Sequence, residues 1–121
     1  MRQYSVKALA YLGDAVYELC VREYLVSEEN RSVNEYNRMA KKLVSAKNQS
    51  GFYHAIFDSL TGEEQTVMKR GRNLHPATRA KNAELSEYRH ATGLETLFGF
   101  LYMEGRSERI KEVFNICVKA M

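Results

Sequence analysis

Apolar residues recur in this chain at helical spacing almost from end to end. No stretch alternates for long with the period of two that marks a strand. Leu9, Leu12, Val16 and Leu19 follow one another at steps of three and four and share a helical face, while Tyr17, Cys20 and Val21 cover much of the opposite side. A helix apolar nearly all round belongs in the middle of a core. The run Leu9–Glu18 is therefore the expected centre of the fold, in a helix from about Ser5 to Val26. A polar connector, Ser27 to Arg31, follows. Ser32 with Glu35 three residues on forms a capping box, which opens a helix to about Val44. Ser45 caps the next, to about Leu60, and Thr61 with Glu64 repeats the box for a helix to about Arg70, which Gly71 ends. His75-Pro76 opposes continuation. A long helix resumes between Ala83 and Tyr88 and runs to Gly105, and Ser107 caps a last one with an Ile110, Val113, Phe114, Cys117 stripe. The expected fold class is all-α.

Within this pattern two acids stand out. Asp14 lies in the apolar first helix with Ala10, Gly13 and Ala15 around it. Glu95 lies in a second apolar helix with Ala91 four residues before and Gly99 four after. A carboxylate in such a place costs several kcal/mol unless it is paired, hydrogen-bonded or bound to a cation. The small neighbours let another helix come close, so packing the two helices together would set Asp14 beside Glu95. Two such carboxylates share a proton or a cation, and an all-oxygen site suits a hard ion such as Mg²⁺. The alternative is two separate, solvated acids at helix edges.

Composition narrows the class. At 121 residues with 45% apolar positions, the chain has the size and core of one domain. No run approaches the roughly 18 apolar residues of a membrane span, and the start lacks a signal-peptide core, so no membrane and a cytoplasmic location are expected. Cys20 and Cys117 both fall in apolar helical patterns and read as buried free thiols. The formal charge of +3 says little; its distribution says more. From Gln65 to Ala83 there is no acid, but there are Lys69, Arg70, Arg72, Arg79 and Lys81, with Asn73, His75 and Asn82 among them. Such a run is a phosphate footprint or a solvated basic loop. Lys47, in the acid-free stretch from Arg38 to Phe57, has the same two readings. The three histidines form no evident site, and His90 stands five positions before Glu95, on the wrong side of a helix for a direct pair.

Tyr11-Leu12-Gly13-Asp14-Ala15 resembles the core motif of the ribonuclease III family, in which the aspartate binds catalytic metal. Glu95, in Glu95-Thr96-Leu97-Phe98-Gly99-Phe100, resembles the second metal-binding acid of that family. Ribonuclease III usually has a glutamate where this chain has Ala10 and an aspartate where it has Thr92. The smaller Mini-III subfamily shows such replacements. It also has stretches similar to Val44-Ser45-Ala46-Lys47, Lys69-Arg70-Gly71-Arg72-Asn73 and Tyr88-Arg89-His90-Ala91-Thr92. The resemblance, which covers almost the whole chain, implies a single ribonuclease III-type helical domain over residues 1–121, without the separate double-stranded-RNA-binding domain of the larger enzymes. It implies an Mg²⁺-dependent endoribonuclease that cuts double-stranded RNA, leaves a 5′-phosphate and a 3′-hydroxyl, and matures precursor large-subunit ribosomal RNA in bacteria. It further implies a homodimer, with Tyr11 touching the partner subunit. Asp14 and Glu95 would be the catalytic metal ligands, and Lys47, Lys69, Arg70, Arg72, Asn73, Arg79, Lys81 and Asn82 the RNA contacts. Two other readings stay open: a non-catalytic RNA-binding or ribosome-assembly module on the same fold, or a helical protein-interaction domain.

Overall fold

The computed structural model describes residues 3–74 and 82–121, which form six helices and, among the described residues, no strand. These are α1 (Val6–Glu28), α2 (Val33–Leu43), α3 (Ala46–Phe57), α4 (Gly62–Arg72), α5 (Asn82–Met103) and α6 (Ser107–Lys119). Four starts obey the capping chemistry in the sequence. Ser5, Ser32 and Ser45 accept from the backbone N–H three residues on, and Thr61 with Glu64 forms the full reciprocal box. Ser107 does not cap α6; it is the first helical residue, and Arg106 before it makes no side-chain cap bond. Gly105 takes a left-handed φ of 70° between α5 and α6, a conformation glycine adopts without steric cost. Gly71 does not end α4 but lies inside it, buried against α5.

The central helix is α5, not α1. α5 packs against α1, α3, α4 and α6. Its Leu94, Leu97, Phe98 and Leu101 are fully buried, each worth roughly 1.5–3 kcal/mol over exposure. α1 turns only one side inward, through Leu9, Gly13, Val16, Tyr17, Val21 and Leu25. Leu19, expected on the Leu9 face, is 63% exposed. Steps of three, four and three keep residues near one stripe but do not say which edge of it faces the core. Tyr17 completes the packing: its ring meets Phe98 edge-on at 5.3 Å and its hydroxyl donates to the Leu43 carbonyl at 2.7 Å. A buried ion pair, Arg109 to Glu64 at 2.8 Å, ties α6 to the start of α4.

Glycines fix how closely α5 is approached. A Cβ on Gly13 would collide with the Glu95 backbone carbonyl, and one on Gly99 with the Leu9 carbonyl. Backbone touches backbone where α1 crosses α5. Gly71 and Gly93 do the same between α4 and α5, and a Cβ on Gly71 would run into Thr96.

Candidate functional site

The α1–α5 contact sets the acids. Gly13 presses on the Glu95 backbone, so the next residue, Asp14, rises beside the Glu95 side chain. Asp14 is exposed and Glu95 half-buried. Burial first, then the charge of Asp14, push the Glu95 carboxyl up to about 7. One hydrogen bond opposes this. The Gln49 amide, only 3% exposed, donates from Nε2 to Glu95 Oε2 at 3.3 Å and favours the ionised form. The pair is thus a carboxylate couple poised to share a proton, or to release it to a cation. Among the described residues no third His, Cys, Asp or Glu joins them. Thr92 turns its hydroxyl back on its own helix, donating to the Tyr88 carbonyl at 3.0 Å. Two carboxylates, one of them exposed to solvent, suit Mg²⁺, which keeps several waters and is commonly held by one or two carboxylates plus substrate phosphate.

Gln49 escaped the reading of the sequence, although a signal was present. It lies at helical spacing with the buried Phe52, Tyr53 and Ile56 of α3, so an amide sits on a core-facing stripe. Lys47 stands exposed as the second residue of α3, the helix that delivers Gln49.

Among the described residues, the basic run does not form one surface. Lys69 extends over the Phe57 ring at 5.4 Å. Arg70 lines a cavity of about 460 Å³ between the start of α1, α4 and α5, with Leu9, Thr96 and Phe100. Neither acid lines that cavity. Arg72 and Asn73 instead line a smaller cavity of about 200 Å³ with Leu85, Ser86, Arg89 and His90 of α5. Residues two apart on a helix point to different sides, and α4 is helical through Arg72. Arg79 and Lys81, as well as the Asn82 side chain, lie outside the described residues.

The smaller cavity borders an aromatic cluster. The His54 and His90 rings, 36 residues apart in sequence, stand 4.5 Å apart, with Tyr53 4.7 Å from His90. His90 Nδ1 meets the Ser86 carbonyl at 2.7 Å, so in the neutral ring Nδ1 carries the proton. Burial lowers the His90 pKa, and the charges of His54 and Arg72 add to that against the pull of Ser86.

The all-α domain with two close acids at a glycine-mediated helix crossing defines a class. Residues 7–106 match the family profile described as Ribonuclease III domain, and the chain belongs to the ribonuclease III family. Within it the similarity runs to proteins named Mini-ribonuclease 3. That of Enterococcus faecalis is 45% identical over 98% of this chain and 91% of its own length; that of Thermoanaerobacter sp. is 40% identical over 97% and 82%. A crystal structure of a protein from Fusobacterium nucleatum superimposes with a TM-score of 0.84 at 36% identity, covering 98% of this chain and 94% of that one.

Proposed function

We propose that the chain is a metal-dependent endoribonuclease that hydrolyses double-stranded RNA, with Asp14 and Glu95 as the ligands of a catalytic Mg²⁺. The observation that carries this reading is the acid pair itself: two carboxylates from two helices, one raised by burial and by the other, held by Gln49. The bound metal supplies an activated water and a counter-charge for the scissile phosphate. Asp14 and Glu95 would bind and orient it, and the Gln49 hydrogen bond favours the ionised Glu95 carboxylate that a metal requires. Ala10 and Thr92 add no charge, so water or RNA phosphate oxygens would have to fill the positions that Asp14 and Glu95 leave open. Cleavage leaves a 5′-phosphate and a 3′-hydroxyl, and the substrate in the cell is precursor large-subunit ribosomal RNA of bacteria.

The chain works as a homodimer through the outer face of α1. Tyr11 is 85% exposed, Leu19 63% and Val26 62%, with Ala8 and Ala15 exposed at the same helical spacing. An apolar stripe of that kind on a protein surface marks an interaction site, and a two-fold pair of sites can cut both strands of a duplex. Lys47, Lys69, Arg70, Arg72 and Asn73 contact RNA, as do Arg79, Lys81 and Asn82. Asp14→Asn and Glu95→Gln keep size and remove the charge that holds the cation. Each should abolish most Mg²⁺-dependent duplex cleavage while the metal-free protein still binds duplex. Near-normal turnover at limiting Mg²⁺ would remove the metal role from that residue.

A further inference from the structure

The cavity between the end of α4 and the first half of α5 is lined by two guanidiniums that lack a carboxylate. Arg22, Arg31, Arg106 and Arg109 each pair with a glutamate. Among the described residues Arg72 and Arg89 pair with none, and residues 75–81 contain no acid that could serve them. Arg89 Nε is buried and, among the described residues, has no hydrogen-bond partner. Arg72 Nε donates to Asn73 Oδ1 at 3.2 Å, which orients its fork, and the guanidinium also lies against the buried Tyr53 hydroxyl, a neutral partner that leaves its charge uncompensated. A buried donor without an acceptor is costly, and a nearby pair of uncompensated cations adds repulsion. Both costs vanish if an anion enters.

The cavity measures about 200 Å³, below the roughly 300 Å³ at which sites for drug-sized ligands begin, so it suits a compact group. Its donors are guanidinium forks, whose geometry matches tetrahedral phosphate oxygens. Its place on the molecule fits the same ligand. Arg89 lies six residues before Glu95 on α5, about 9 Å along the axis. The Gly71–Gly93 contact pins the Arg72 end of α4 to that stretch.

We propose that Arg72 and Arg89, with Asn73 and Ser86 beside them, form a seat for one backbone phosphate of an RNA strand whose scissile phosphate lies at Asp14 and Glu95. This rests on the reading of the chain as an RNA-cleaving enzyme. It assigns Arg89 a binding role and separates Arg72 from Arg70, which opens into the other cavity. The seat would fix the register of the strand relative to the acids, and the ligand is read by its charge and shape, not by its base.

The test uses the intact chain in the presence of a chelator, so that binding is read without cleavage. Affinity for a long RNA duplex is measured over one salt series for the unaltered protein, Arg89→Ala and Arg89→Lys. Losing one phosphate contact should flatten the log affinity against log salt slope by about 0.7–0.9 and weaken binding several-fold. Arg89→Lys should restore the slope but not the full affinity, because it keeps the charge and loses the fork. In parallel, inorganic phosphate is titrated into ¹⁵N-labelled protein, and the Arg72 and Arg89 Nε–H signals should move together at concentrations that leave exposed Arg38 unmoved. If Arg89→Ala does not fold, Arg72→Ala carries the same slope test. An unchanged slope in a folded variant overturns the proposal, even if free phosphate shifts both arginines, because the seat is then one that RNA does not use. Phosphate that moves neither arginine also overturns it. If the unaltered protein binds duplex through this seat yet does not cut it with Mg²⁺, the seat stands and the catalytic reading falls. If it cuts normally and the slope is unmoved, the seat falls alone.

Discussion

Glu95 carries opposing demands: the helix packing half-buries it, and Asp14 places a second negative charge beside it. Its carboxyl rises from 4.5 to about 7 in the fold. A folded value above the unfolded one means that the native state binds the extra proton between those two values. The contribution is complete below about pH 4.5 and is lost as pH rises through about 7. Metal-free protein should therefore lose stability over that window. Mg²⁺ should raise the melting temperature at pH 8 and do little at pH 5. Asp14→Asn removes the repulsion, so metal-free Asp14→Asn should be more stable than the unaltered protein at pH 8, although inactive. A melting series with and without Mg²⁺ checks both signs, and a metal-free stability that rises from pH 5 to 8 would contradict the coupling. Gln49→Leu deletes the hydrogen bond that favours ionised Glu95 without changing a charge. The expected outcome is a cleavage pH profile displaced upward and weaker Mg²⁺ binding.

At the scale of elements, the α1–α5 crossing depends on two residues that lack a Cβ. Ala at Gly13 or Gly99 meets backbone, which cannot move as a side-chain end can. Either change should cost about 3 kcal/mol, the upper part of the usual range for overpacking, despite the better helix propensity of alanine. Gly51, also inside a helix, has nothing within 4 Å of an added Cβ, so Gly51→Ala should stabilise by roughly 0.5–1 kcal/mol. Urea unfolding of the three variants under one condition compares them. Equal effects at Gly13 and Gly51 would mean that the close crossing is not what positions the acids. α4 shows the same logic in its basic end. Arg70 and Arg72 are separated only by Gly71 yet line different cavities, because a helix of period 3.6 turns residues two apart away from each other.

For the whole molecule, α5 supplies the buried face of the core, while α1 exposes an apolar stripe that the proposed dimer would cover. Tyr11→Asp with Leu19→Asp adds charge to exposed positions, so the monomer fold should survive. The sedimentation mass should fall from twice 14.0 kDa to 14.0 kDa. A variant that stays dimeric would move the interface off this stripe. On the proposed reading, these helices would read an RNA duplex without entering the deep, narrow major groove of the A form, through phosphates, 2′-hydroxyls and groove shape. Matched substrates of one sequence should therefore be cut as RNA duplex, weakly or not at all as single-stranded RNA, and not as DNA duplex. Equal cutting of the single strand would point to a different mode of recognition.

Much of this was legible in the chain alone. The serine and threonine caps of α1 to α4 are local hydrogen-bond chemistry, set by a residue and the backbone three places on. The apolar period determined an all-α fold, and the small residues around Asp14 and Glu95 showed that two helices could meet there. What the tertiary structure decided were relations that no local pattern encodes. Leu19 and Leu9 obey one period, yet only packing against α5 shows which of them is buried. Gln49 reaches Glu95 across 46 residues, and His54 reaches His90 across 36, because separate helices converge. The acid-free run around Arg72 looked like one basic footprint, but the direction of each side chain split it, and Arg89 joined from another helix. Periodicity and capping depend on neighbours along the chain; the site depends on which faces of different helices are brought together, and that is settled only when the core is packed.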